Sequence, residues 1–280
     1  MRLALCNEVL RHRDFASQCR YAAQLGYDGL EVAPFTLHDD PPAMPLARRV
    51  EARRAANDAG LAITGLHWLL VKPDGLSITS PDAAVRARTI DAMRRTVELC
   101  VDLGGRYLVH GSPAQRRTPP GVEPSAARAW IVEAFAAVAP LAEEAGVLYL
   151  VEPLPVDETD QVNTLDEAAA LVQAIASPAV ATMLDTKSAR LAEGASAEDL
   201  VRRWLPAGLL RHVQLNDRNR RAPGQGRDRF DGVLRALVDG GYDGDLAVEP
   251  FDYVPDGDGC AAFAAGYVRG LLHTLRQDKD

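Results

Sequence analysis

The sequence predicts an α/β protein folded as a (β/α)8 barrel. Short β-type runs alternate with longer amphipathic, alanine- and arginine-rich stretches, and the alternation recurs eight times. Divided among eight units, 280 residues give 35 each, close to what barrels of about 250 residues use once some loops lengthen. An open doubly wound sheet shows the same alternation. No glycine-rich phosphate fingerprint follows the first strand, however, and the GQG at 224–226 comes too late and stands alone.

The strands are expected at 2–6 (RLALC), 28–33 (DGLEVA), 61–67 (LAITGLH), 106–110 (RYLVH), 147–152 (VLYLVE), 179–185 (AVATMLD), 211–215 (RHVQL) and 245–249 (DLAVE). Gly26, Gly60 and Gly146 stop helices just ahead of strands two, three and five, because glycine accepts the left-handed backbone that ends a helix. Ser80-Pro81 reads as an N-cap followed by a first-turn proline, opening a long helix that closes by Gly104. Thr164-Leu-Asp-Glu167 is a capping box, and Ser196 caps the helix carrying Leu200, Val201 and Trp204. Parallel neighbours need such helical crossovers. Stretches 111–124 and 221–226 have loop length, so a single domain over 1–280 is expected.

Composition narrows the chemistry. A formal net charge of −8 opposes a nucleic-acid or anionic-membrane partner, since both need clustered Lys and Arg to release counterions. MRLALCNEVL is interrupted by RHRD too soon for a signal peptide, and no apolar run approaches about 20 residues. Cys6, Cys19, Cys100 and Cys260 are scattered without a CxxC pair, which suggests free thiols in a reducing cytoplasm. A small-molecule substrate is the remaining expectation.

Barrels place their active sites at the carboxyl ends of the strands. Glu152, Asp185, Gln214 and Glu249 stand at or near the ends of strands five to eight, spaced by 33, 29 and 35 residues, about one β/α unit each. Three carboxylates converging there repel one another, and a divalent cation resolves the conflict. An all-oxygen set of two Glu, one Asp and a Gln amide suits Mn2+ or Mg2+, with Co2+ admissible, better than Zn2+.

GYDGLEV at 26–32, VEP at 151–153, MLDT at 183–186, HVQLND at 212–217 and AVEP at 247–250 resemble the xylose isomerase-like barrels, and within them the sugar isomerases and epimerases. The resemblance spans nearly the whole chain, and the strand-end quartet is its most specific part. The ligands usual in that family are Glu, Asp, His and Glu. Gln214 stands where the imidazole would be, as in the hydroxypyruvate isomerase branch, with His212 on the same face by period two.

The resemblance implies proton transfer beside a carbonyl through a cation-stabilised enediolate, with Glu152 and Glu249 removing and returning the proton. It also implies that Glu158, six residues after Glu152, and Arg220, in NRRAPGQG at 219–226, contact the substrate, as in ketose 3-epimerases. Their substrate histidine is here Ser188, following Thr186 and Lys187. His67 and His110 end strands three and four, in reach of substrate hydroxyls, and His212 points inward below Gln214. Trp68 either stacks on a sugar or forms a buried wedge.

A sugar or small keto acid is the implied substrate, and a homodimer or homotetramer the implied assembly. Two other readings stay open: a dehydratase expelling a β-hydroxyl from a cyclitol or dehydroshikimate-like acid, and a non-catalytic or partner-dependent barrel. The DNA-repair endonuclease branch needs additional histidines, one of them where Ser188 stands.

Overall fold

Each expected run forms a strand. In a computed structural model describing residues 1–277, they join in chain order into a closed parallel barrel, β1 pairing with both β2 and β8. The strands are β1 (Arg2–Cys6), β2 (Gly29–Val32), β3 (Ala62–Leu66), β4 (Tyr107–His110), β5 (Leu148–Val151), β6 (Val180–Asp185), β7 (Leu210–Leu215) and β8 (Asp245–Val248). The expected domain ran to residue 280, and positions 278–280 lie outside the described residues.

Around the strands lie α1 (Phe15–Gln24), α2 (Leu46–Asp58), α3 (Ala83–Leu103), α4 (Pro113–Arg116), α5 (Pro124–Glu144), α6 (Leu165–Ile175), α7 (Thr186–Ala192), α8 (Ala197–Trp204), α9 (Asp231–Asp239) and α10 (Gly257–Gln277). Ser196 accepts from Asp199 N as expected. Thr164 accepts from Glu167 N at 3.2 Å, but the Glu167 carboxylate returns to Asn163 N at 2.9 Å, one residue before the cap. The Ser80 cap is corrected: α3 starts at Ala83, because Asp82 accepts from Ala84 N. A carboxylate two residues nearer the helix outcompetes the hydroxyl.

Residues 111–124, expected as a loop, contain the short helix α4. Helix α5 has the length and mean hydropathy of a membrane-crossing helix by length and composition alone, although Arg128 and Glu133 interrupt its apolar run. Its apolar residues bury one face, including Ile131, Phe135, Val138 and Ala142, against the barrel and its flanking helices.

Strand period two sorts the interior from the barrel–helix layer. Tyr107, Val109, Leu150, Ala181 and Met183 form one inner cluster, and Ala4, Cys6 and Ala247 another. Continuing the inward face of β5, β6 and β8 by one step reaches Glu152, Asp185 and Glu249. That is why these acids converge.

Candidate metal centre and substrate cavity

Glu152, Asp185 and Glu249 are buried, and each offers an oxygen within 4.8 Å of the others. Asp185 lies opposite Gln214 in the β6–β7 ladder. It also caps α7, accepting from Ser188 N at 2.6 Å, while Asn216 Nδ2 donates to its other oxygen at 2.7 Å. Asn216 donates to the Glu249 carbonyl as well, at 3.0 Å, tying the end of β7 to the end of β8 beside the acids.

Crowding shows in the proton affinities. Burial, and then the Asp185 charge, push Glu152 up to about 8. Burial, and then Glu152 and Asp185, push Glu249 well above the carboxylate range. Gly111, just after β4, makes the packing feasible: a Cβ there would collide with Glu152 Oε2. Gly111→Ala is therefore expected to displace Glu152 and weaken Mn2+ binding by about ten-fold, comparable to loss of an outer support of a ligand. Calorimetric titration with Mn2+ checks this.

Gln214 is fully buried. Its Nε2 donates to Glu31 Oε1 at 2.6 Å, and its Oε1 has no hydrogen-bond partner. Glu31 explains the orientation. Burial pushes its proton affinity up, but the rings of His212 and His67 and the Tyr107 hydroxyl outweigh burial and hold it at about 2. An ionised carboxylate only accepts, so the amide must present N–H to it and keep the oxygen free. Three converging carboxylates plus one orphaned amide oxygen fit a hard divalent cation.

Above the acids lies a cavity of about 250 Å³, lined among others by His67, Trp68, Glu158, Lys187, Arg220 and Phe251. Glu158, expected to contact substrate, accepts from Lys187 Nζ at 2.7 Å. Lys187 sits 4.9 Å from the Phe251 ring centre, and the Arg220 guanidinium 5.5 Å from it. The Arg220 carbonyl accepts from Phe251 N and Asp252 N, coupling the loop after β7 to the loop after β8. Trp68 meets Phe251 edge-on at 6.5 Å and lines the cavity wall.

His67 lines the cavity, as expected, and bonds Glu8 Oε1 through Nε2 at 2.8 Å. His110 and His212 do not line it. With Tyr107 and Val109 facing inward, His110 must face outward, where it packs on Phe135 at 5.1 Å and Tyr149 at 6.0 Å. Burial, and then Arg116, lower its proton affinity to about 3. His212 does point inward, but a full step beneath Gln214, with Nε2 2.8 Å from Glu31 and its ring stacked on Tyr107 at 4.2 Å. Neither histidine reaches a molecule in the cavity.

Glu8, Glu31, Lys187, Asn216 and Phe251 had no role assigned from sequence. A carboxylate inside the apolar run GLEV and a lysine two residues after the strand-end aspartate were the available signals.

The model of the xylose isomerase-like TIM barrel family matches residues 19–269. The chain belongs to that family. Xylose isomerase-like relatives include the D-psicose 3-epimerase of Agrobacterium fabrum, 30% identical over 242 residues covering 85% of this chain and 79% of the relative. The L-ribulose 3-epimerase of Mesorhizobium japonicum is 31% identical over 204 residues, covering 71% of this chain and 65% of that one. A crystal structure of D-psicose 3-epimerase in the presence of D-fructose superposes with a TM-score of 0.82 at 25% identity, covering 97% of this chain and 99% of that one. These relatives are epimerases of ketoses, and the kinship makes this xylose isomerase-like chain an isomerase-class enzyme.

Proposed function

We propose that the protein is a divalent-cation-dependent ketose epimerase, inverting one carbon next to the carbonyl of a sugar. The convergence of Glu152, Asp185 and Glu249, with an unpartnered Gln214 oxygen on the strand beside Asp185, carries the reading. Kinship with D-psicose and L-ribulose 3-epimerases supports it. Glu152, Asp185, Gln214 and Glu249 would hold the cation, Mn2+ or Mg2+ by the hardness of an all-oxygen set. When bound, the cation supplies Lewis-acid polarisation of adjacent carbonyl and hydroxyl oxygens.

The chain's own groups do the rest. One of Glu152 and Glu249 takes the C–H proton beside the carbonyl, and the other returns a proton to the same carbon, which inverts it. Their high proton affinities in the ion-free site match that work, since a base that holds a proton near neutrality also removes one effectively. Lys187, Glu158 and Arg220 hold the remaining substrate oxygens, and Trp68 and Phe251 wall the cavity from water. The enzyme works in the cytoplasm, consistent with four buried unpaired thiols.

Epimerisation in D2O is the test. Mn2+-loaded protein given a panel of ketoses incorporates deuterium beside the carbonyl and yields the epimer of at least one. Absence of exchange with every ketose, including phosphorylated ones and small keto acids, would remove the assignment.

A pH dependence follows from the raised carboxyls. Folded Glu152 keeps its proton up to about 8, whereas an unfolded glutamate loses it in the ordinary range. The folded state therefore binds more protons in that window, and stability of the metal-free protein falls as pH rises through it. Thermal unfolding of the metal-free protein is expected to show a lower Tm at pH 8 than at pH 5. Added Mn2+ should raise the Tm more at the higher pH.

A further inference from the structure

Beside the carboxylate triad, a second set of donors converges, and of these only Glu249 takes part in the reaction described above. Cys6, Glu8, His67 and Glu249 are all buried, and each supplies one ligand atom within 4.8 Å of the others. They come from the end of β1, the turn after it, the end of β3 and the end of β8, so the closed barrel alone brings them together.

One buried polar atom in this set lacks a partner, Glu8 Oε2, and Glu8 is only 8% exposed. The Cys6 thiol makes only a weak contact, 3.6 Å to Glu31. His67 directs Nε2 at Glu8 and lies 3.8 Å from Glu249 through the same atom, while Nδ1 faces Glu31 at 3.5 Å. A metal-bound histidine is oriented in the same manner, one nitrogen on the ion and the other on a carboxylate.

We propose that Cys6, Glu8, His67 and Glu249 form a second divalent-metal site, with Glu249 shared between two ions. One sulfur, one imidazole and two carboxylates suit a borderline cation such as Zn2+ or Co2+, whereas the neighbouring all-oxygen site suits a harder one. The proposal rests on the preceding reading only in sharing Glu249.

Cobalt is a suitable probe because thiolate ligation gives a near-ultraviolet charge-transfer band that oxygen ligands do not. Metal-free full-length protein is titrated with Co2+, recording bound equivalents by dialysis and elemental analysis together with the spectrum. Two equivalents per chain and a thiolate band are expected. Cys6→Ser abolishes the band and the second equivalent, and Glu8→Gln weakens that equivalent by ten-fold or more, while both keep the first. Asp185→Asn loses the other equivalent and retains the band.

Binding of one Co2+ without a band, unchanged by Cys6→Ser, would overturn this proposal and leave the triad's ion in place. One Co2+ with a band that survives Asp185→Asn but not Cys6→Ser would support this site and remove the triad's ion instead. Circular dichroism of the variants identifies any that have failed to fold, and the wild-type stoichiometry decides independently of them.

Discussion

Glu249→Gln is expected to abolish deuterium incorporation into the substrate, lowering the exchange rate by roughly 10²–10⁴-fold, the range for loss of a positioned acid or base. The amide keeps the shape of the side chain and one ligating oxygen, so the barrel should remain folded. What it loses is the proton-carrying oxygen in a setting where burial, Glu152 and Asp185 hold the carboxyl's proton affinity well above normal. Exchange followed by NMR in D2O checks the result, and exchange at the native rate would remove Glu249 from the chemistry. The same substitution should also weaken Mn2+ binding, which separates it from a change in the cavity rim.

Glu31→Leu should produce a large loss of stability. Glu31 is wholly buried and accepts from Tyr107 Oη at 2.6 Å and Gln214 Nε2 at 2.6 Å, with His212 Nε2 at 2.8 Å. Leucine is close in volume but leaves these groups facing one another without an acceptor. Removing one partner of a buried ionic network costs about 3–5 kcal/mol. For a chain of this size that corresponds to a drop in Tm of roughly 10 °C. Calorimetry measures it, and a loss below about 1 kcal/mol would mean the network is redundant. Because Glu31 also sets the direction of the Gln214 amide, Mn2+ affinity should fall in parallel.

The strand ends were legible because period two and unit spacing are both local. Glu152, Asp185 and Glu249 could be placed on one rim from the sequence, and the structure brings them together. His110 was misread for a reason the same rule supplies. A strand-end histidine faces in or out according to register, and only the inward position of Tyr107 decides it. His212 was assigned the correct face and the correct step below Gln214, but the cavity floor lies above it, and that floor is set by side chains of several strands that no single segment encodes.

Glu31 and Glu8 were passed over because each sits alone in an apolar context, and what keeps them buried comes from distant strands. Glu31 is held by residues of β3, β4 and β7 or just beyond them, and Glu8 by His67. Lys187 was visible in LDTKS, yet its partner Glu158 is 29 residues away, across the cavity. The half-formed capping box at Thr164 follows the same pattern, since Glu167 had a second backbone N–H within reach.

Anomalous diffraction from crystals grown with Mn2+ tests the central claim most directly. The account predicts one Mn2+ peak bonded to oxygens of Glu152, Asp185, Gln214 and Glu249. An absent peak, or one without the Gln214 oxygen and with those carboxylates turned toward solvent, would contradict it.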